Sequence, residues 1–500
     1  MANTLFDALY APHSGKDRPF LHLPDGSDIS YGAFVDRAAQ FANALTALGA
    51  EPGDRVAVQV AKLPDTLALF AGCTQAGLIF LPLNTGYTAE ELAYFVTDSQ
   101  ARILVCAPEK EDALADIARA AGAELRTLGA GTGSLVDAAD AAPTRFETVA
   151  RGPDDLAAFL YTSGTTGRSK GAMLSHRNLL SNASTLVDHW RFDENDVLLH
   201  ALPIFHTHGL FVGMNVMLLA GGSVIFQQGF DLEQVVGALP DATVMMGVPT
   251  FYTRLLSDDR FDRDLTRNMR LFVSGSAPLL AETHRAFEER TGHRILERYG
   301  MTETNMNISN PYDGERRAGS VGFPLPGVEI EIRDPETGEA VAPGEVGIIE
   351  VRGKNVFQGY WNMPEKTAEE LRENGFFITG DLGQRDAEGY VTIVGRAKDL
   401  VISGGYNVYP KEIEDILDDQ PGVLESAVVG VPHPDFGETP VAFLVPEGDG
   451  PDLENVRAEV ARRLARYKHP QGYELIEELP RNTMGKVQKA ALRERAAHTE

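Results

Sequence analysis

Over residues 50–300 of this 500-residue chain, short apolar runs alternate with stretches of helical periodicity, and no other feature limits the possible folds as strongly. Runs at 55–60, 102–107, 156–162, 197–203, 223–227, 243–248 and 271–274 have strand length. Segments such as 179–190 and 281–290 repeat apolar residues at helical spacing. The alternation predicts βα units, hence an α/β fold of doubly wound, mostly parallel sheets with helices on both faces. The texture changes at 328–394, where runs at 328–332, 346–351, 376–378 and 390–394 are separated by turn strings such as DPETGE and RDAEG. This predicts an antiparallel, barrel-like subdomain over about 320–395. Beyond Arg396 a strand at 401–403, a helix at 410–419, a strand at 426–430 and a helix near 453–464 predict a small α+β domain. The expected division is 1–396 and 397–500. In doubly wound folds ligands sit at the carboxyl ends of the strands, so the loops after the runs carry the chemistry.

Charge narrows the partners. The chain has 45 Lys and Arg against 72 Asp and Glu, a net −27, which argues against nonspecific binding to nucleic acid or anionic membrane. Only eleven of the cations are lysines, and none lies between Lys170 and Lys354. Two stretches lack charged residues, 66–83 and 197–230. The first contains Thr, Gln, Gly and Pro and reads as a buried helix feeding a strand; the second carries three histidines, so neither predicts a membrane span. Cys73 and Cys106 sit in apolar sequence, as buried thiols in a reducing cytoplasm would, and the N-terminus has no secretory pattern.

The string Thr162-Ser163-Gly164-Thr165-Thr166-Gly167-Arg168-Ser169-Lys170-Gly171 directly follows an apolar run. Small hydroxyl residues and glycines let backbone N–H groups approach phosphate oxygens, and Arg168 and Lys170 add cationic donors. The spacing is not that of a Walker A loop, because Lys170 stands three residues beyond Gly167. This loop resembles the signature of the adenylate-forming superfamily of acyl-CoA synthetases, luciferases and peptide-synthetase adenylation domains. Further motifs follow in that family's order: Gly275-Ser276-Ala277-Pro278, Tyr299-Gly300-Met301-Thr302-Glu303, Thr379-Gly380-Asp381, Gly395-Arg396-Ala397-Lys398-Asp399 and Pro480-Arg481-Asn482-Thr483-Met484-Gly485-Lys486.

The resemblance implies a reaction. ATP activates a carboxylate as an acyl-adenylate with loss of pyrophosphate, and the thiol of coenzyme A then takes the acyl group. Adenylation both masks the carboxylate charge and supplies a leaving group, so a cation at the α-phosphate is the central need. By resemblance Lys486 is that cation, with His206 beside the reacting carboxylate and Glu303, helped by the Thr162 hydroxyl, holding Mg²⁺. The ATP and AMP site would comprise the phosphate loop with Lys170, then Gly275, Ser276, Ala277, Glu297, Arg298, Tyr299, Gly300, Met301, Thr302, Asp381 and Arg396. Tyr299 would stack on adenine and Asp381 accept the ribose hydroxyls. Lys398 resembles the hinge about which the small domain, mobile in this family, exchanges Lys486 for a thioester-forming face. Ser403, Gly404, Gly405, Tyr406 and Arg466 would meet coenzyme A, Arg466 lying in a basic island with Arg462, Arg463, Lys468 and His469. That island is equally accounted for as favourable charge at a helix C-terminus. Lys489 is expected to be solvated. The context of Lys486 also resembles bacterial acetylation sites, which would make an acetyltransferase a partner.

The choice of acid is also written here. Fatty or aryl acids need an apolar pocket, yet Arg254 and Arg298 stand beside wall segments. ERYGMTETNMN, HALPIFHTHGL and MGVPTFYTRLL resemble the malonyl-CoA synthetase subfamily. That resemblance implies Arg254, Ser276 and Arg298 gripping a distal carboxylate, with Thr207 and Met306 around the middle carbon and methylmalonate a second substrate. A short-chain acyl- or oxalyl-CoA synthetase, and a non-catalytic nucleotide-binding module, remain the alternatives.

Overall fold

The apolar runs become the inner strands of two large sheets. The computed structural model describes residues 3–162, 169–403, 406–434, 436–482 and 485–497. In one sheet Leu296–Met301, Leu271–Ser274, Val244–Gly247, Val197–His200, Ser223–Phe226 and Pro19–His22 lie side by side and parallel. Antiparallel strands flank them, Asn305–Ser309 and Phe323–Pro324 at one edge and Asp28–Ser30 at the other. The second sheet runs Glu124–Thr127, Ile103–Cys106, Arg55–Gln59, Ile79–Pro82, Leu156–Thr162 and Lys170–Ser175, parallel except for the last pair. Strands such as Ile103–Cys106 and Leu271–Ser274 are buried along their whole length, as parallel strands covered on both faces must be.

Local chemistry sets the boundaries. The strand expected at 197–203 stops at His200, and the chain turns through Pro203, which has no N–H for a ladder. The helix expected at 179–190 is His176–His189, starting earlier because Ser175 and Asn178 form a reciprocal cap. The Asn178 side chain also donates to the carbonyls of Lys354 and Val356, tying this helix to the later β region. The uncharged stretch at 66–83 is helix Pro64–Gln75 followed by strand Ile79–Pro82. Among the described residues no helix is long and apolar enough to cross a membrane. Cys73 and Cys106 are free and buried.

Val328–Arg333, Gly347–Gly353, Phe377–Arg385 and Val391–Arg396 form a separate four-stranded antiparallel sheet. The chain then enters another sheet, where the long pair Val423–His433 and Gly437–Pro446 is joined by Val401–Ser403, Tyr406–Val408 and Gly472–Leu475. Alternation along Val423–His433 sends Val428 into one core with Ile413, Leu417 and Val460, and Val429 into another with Phe443, Leu479 and Leu492.

Candidate active site

Four neighbouring parallel strands end on one side of the nine-stranded sheet and deliver the wall of a cleft. The loop after Val197–His200 carries His206, Thr207 and His208; helix Pro249–Leu256 follows Val244–Gly247; Ser276 follows Leu271–Ser274; Arg298 and Tyr299 lie on Leu296–Met301.

Arg298 is the central charge on the side of the cleft expected to take the acid. It is 3% exposed, and its Nε and Nη2 have no hydrogen-bond partner. A Cβ at Gly275 would fall 2.2 Å from the Arg298 Cζ, so glycine is what admits the guanidinium. Burial pushes the pKa of Arg298 down. A guanidinium nonetheless stays charged, and among the described residues no carboxylate forms an ion pair with it, Glu297 acting on it only through its field. Around it His206 is pushed down to about 4, by burial first and then by the charges of Arg298 and Lys486. His208 is also lowered, well below its ordinary value, by burial first and then by Arg298, so both rings are neutral at physiological pH. His206 Nδ1 accepts from the His208 N–H at 3.3 Å, and His208 Nδ1 lies 3.3 Å from Ser276 Oγ. Thr207 Oγ1 and His208 Nε2 are also buried without partners. Buried polar groups are normally paired, and of these unmatched groups His208 feels the Arg298 charge directly. Met306 is buried on the adjacent strand, paired in register with Gly300, whose missing side chain leaves room for the Met306 methyl.

Arg254 does not join this group. It is exposed on helix Pro249–Leu256 with its guanidinium 5.8 Å over the Phe230 ring, so the expected two-arginine grip reduces to Arg298. The residue of that helix facing the cleft is Thr250, against Gly485.

On the nucleotide side, Asp381 and Arg396 are register partners on adjacent strands, and Arg396 Nε donates to Asp381 Oδ1 at 2.7 Å. The Tyr299 hydroxyl donates to Asp381 Oδ2 at 2.5 Å. Both carboxylate oxygens are therefore engaged by protein, and Tyr299 is tethered as well as planar. Glu303 sits in the three-residue turn between Leu296–Met301 and Asn305–Ser309, next to Thr302. It is buried, which raises its pKa, and its Oε1 accepts from the Tyr360 hydroxyl at 3.0 Å. Tyr360 also lies 2.7 Å from Glu370, and Glu370 holds Lys170 at 3.0 and 3.1 Å while that ammonium covers the Tyr360 ring at 4.2 Å. Sequence reasoning missed Tyr360 and Glu370; the string GYWNMPEKTAEE gives no signal that its Tyr and last Glu meet residues 57 and 200 positions away. Thr162 and Lys170 face each other as register partners. Ser163, Gly164, Thr165, Thr166 and Gly167 lie outside the described residues, as do Gly404 and Gly405.

Lys486 reaches the cleft from the small domain. Its N–H donates to Asn482 Oδ1 at 3.0 Å, its carbonyl accepts from the Asn482 N–H at 2.9 Å, and Gly485 N–H donates to the Asn482 carbonyl. The side chain is open to water through the cleft yet crowded by protein. That crowding lowers its pKa first, then Arg396, while Asp381 and Glu303 oppose the shift. Lys486 is thus gathered with His206, Arg396, Asp381 and Glu303. Lys398 lies in the turn Ala397–Asp399 between the two sheets it connects. Burial lowers its pKa, and Arg493 pairs with Asp399 at 2.5 Å.

The coenzyme A residues separate. Ser403 is buried, whereas Tyr406 is 60% exposed and stacks on Tyr467 at 4.8 Å, beside exposed Arg466. The basic island is mostly neutralised, since Arg462 pairs with Glu459, Arg463 with Asp419 and Lys468 with Glu412. Lys489 is not solvated; it bonds Glu414 and the Val428 carbonyl. Among the described residues no group of three His, Cys, Asp or Glu could hold a metal by itself.

Residues 10–361 match the AMP-binding enzyme family and residues 412–486 its C-terminal domain. The chain belongs to that family, the adenylate-forming ligases whose substrates include ATP. Within it, the ATP-bound crystal structure of MatB from Rhodopseudomonas palustris superposes with a TM-score of 0.97, at 55% identity over 99% of both chains. The apo form of the same protein reaches 0.87 at 56% identity over 99% of both chains. A feruloyl-CoA synthase from an Amycolatopsis species is 38% identical over 94% of each chain. A malonate–CoA ligase from Arabidopsis thaliana is 33% identical over 99% of this chain and 89% of its own.

Proposed function

We propose that this enzyme ligates malonate to coenzyme A: malonate + ATP + CoA → malonyl-CoA + AMP + pyrophosphate, through malonyl-adenylate. The observation that carries the reading is Arg298, buried with no ion-pair partner among the described residues and with two guanidinium nitrogens unpartnered. A monocarboxylate would leave that cation uncompensated, whereas the second carboxylate of malonate supplies its partner. The first carboxylate then falls between His206 and Lys486. A neutral His206 can donate a hydrogen bond without adding positive charge, leaving Lys486 to stabilise the charge that develops at the α-phosphate. Thr207 and Met306 bound the middle carbon, where a methyl group distinguishes methylmalonate from malonate.

Asp381, Tyr299 and Arg396 form the ribose and adenine side. Ribose hydroxyls compete there with the Tyr299 hydroxyl and Arg396 for the same carboxylate oxygens. Glu303, with Thr162 near the phosphate loop, would hold Mg²⁺, which fits a site having one buried carboxylate and relying on phosphate oxygens for the remaining ligands. The ion would neutralise charge on the departing pyrophosphate. Division at 396/397, with Lys398 as hinge, would let Tyr406 and Arg466 replace Lys486 for thioester formation. The two buried thiols suit a reducing, cytoplasmic setting.

Pyrophosphate release, with and without coenzyme A, across two- to four-carbon mono- and dicarboxylates tests the reading. Malonate should lead the panel. Preference for acetate, propionate or oxalate would replace it with a short-chain acyl- or oxalyl-CoA synthetase, and absence of pyrophosphate release would leave a nucleotide-binding module.

A further inference from the structure

One of the lysines outside the motifs, Lys62, is buried. Lys62 follows strand Arg55–Gln59 of the six-stranded sheet and is 7% exposed. Its Nζ lies 2.6 Å from His200 Nδ1 and 2.8 Å from the His200 carbonyl, and 4.6 Å over the Phe226 ring. Among the described residues no carboxylate pairs with it. His200 closes strand Val197–His200 of the other sheet, is 1% exposed, and directs Nε2 at the Gly209 carbonyl at 2.9 Å.

These contacts fix the tautomer. A carbonyl only accepts, so Nε2 carries the proton; in a neutral ring Nδ1 must then accept, and Lys62 must donate. Burial first, then Lys62, holds the ring neutral, and burial also pushes Lys62 itself well below the usual lysine range. Gly209 belongs to the π-helical turn His208–Met214, a rare local geometry frequent at functional sites. The turn has no slack: a Cβ on Gly209 would lie 2.0 Å from the Pro203 carbonyl oxygen, and one on Gly213 would lie 3.0 Å from the His200 ring. Immediately before Gly209 come Thr207, whose hydroxyl is buried without a partner, and His208, which feels the Arg298 charge.

We propose that Lys62 and His200 are positioning residues of the acyl pocket: the Lys62 amine orients the His200 ring so that it grips the Gly209 carbonyl, and this sets Thr207 and His208 against Arg298 so that a dianionic acid is selected over a monoanionic one. The proposal rests on the dicarboxylate reading of the site. It assigns neither residue any contact with substrate.

The test uses side chains that keep or lose one donor. In His200→Gln the amide nitrogen can stand where Nε2 was and still donate to the Gly209 carbonyl; in His200→Asn the shorter amide reaches only the Nδ1 position and supplies no donor to that carbonyl. The full-length enzyme and both variants are assayed for kcat/KM with malonate and with propionate, for KM of ATP, and for thermal midpoint. His200→Asn should lower the malonate-to-propionate ratio by about tenfold or more, and His200→Gln by no more than about threefold, with the KM of ATP unchanged in both. Lys62→Met should lower the ratio in the native background and have no further effect on it in His200→Gln, where the donor no longer depends on the amine. Equal loss of ratio in the two His200 variants, or parallel loss of both acids in Lys62→Met, would overturn the proposal. Should Lys62→Met not fold, the His200 pair decides alone. If the unsubstituted enzyme does not prefer malonate, the dicarboxylate reading falls. The positioning claim is then decided by KM for the acid it does prefer, which His200→Asn should raise and His200→Gln should not.

Discussion

Replacing Arg298 with methionine should separate function from stability in opposite directions. The methionine fills much of the same volume beside Gly275 without a charge. Two N–H groups await the substrate, and a hydrogen bond to a charged partner contributes about 1.5–3 kcal/mol. Losing both removes about 3–6 kcal/mol of transition-state binding with malonate, a fall in kcat/KM of about 10²- to 10⁴-fold. Propionate, which never met those groups, should lose less than about threefold or gain. The unliganded protein, relieved of a buried unpaired cation, should become more stable by about 1–3 kcal/mol, seen as a rise in urea midpoint at unchanged slope. Pyrophosphate release and urea denaturation measure the two effects. Equal losses on both acids, together with a lower midpoint, would show that Arg298 supports the fold rather than reading a second carboxylate.

Gly275→Ala places a Cβ 2.2 Å from the Arg298 Cζ; it should displace the guanidinium and cost malonate at least about tenfold in kcat/KM while sparing propionate, and parallel losses would refute it. Lys486→Met should abolish malonyl-adenylate formation, followed as pyrophosphate release, while preformed malonyl-adenylate still acylates coenzyme A; loss of both halves would contradict exchange of Lys486 for another face, and acetylation of Lys486 should behave like the methionine. His176, buried and pushed down to about 4 by desolvation, is neutral when folded but protonates near 6.5 when unfolded. The unfolded state therefore binds more protons between pH 6.5 and 4, and stability must fall as the pH drops through that window. His176→Asn, whose carbonyl can still accept from the Leu5 N–H, should reduce that slope by about 1.4 kcal/mol per pH unit in urea titrations, and an unchanged slope would refute the assignment.

The βα alternation was readable because buried parallel strands are runs of apolar residues, and the motif positions were readable because they occur as contiguous strings. The pairings that set the site's electrostatics are different in kind. Lys62 meets His200 across 138 residues and Lys170 meets Glu370 across 200. Neither leaves a periodic trace, since each partner needs only to end a strand or helix at the right height. The same reasoning explains the basic island: clustering in sequence announced Arg462, Arg463 and Lys468, but only the fold shows that Glu459, Asp419 and Glu412 neutralise them. Arg254 and Arg298 both stand beside motif text, and nothing in that text tells which one the helix turns outward.

The loop bearing Lys486 is closed on itself by three hydrogen bonds among Asn482, Gly485 and Lys486. A cation delivered by a floppy segment would have to be ordered anew in every turnover, at about 1–2 kcal/mol for each residue fixed. Here Asn482, Gly485 and Lys486 are already bonded to one another within the small domain. Under the proposed exchange, a small domain that left for thioester formation would return with this ammonium already aimed, and rotation about the Lys398 segment, not a search through loop conformations, would set the cycle time.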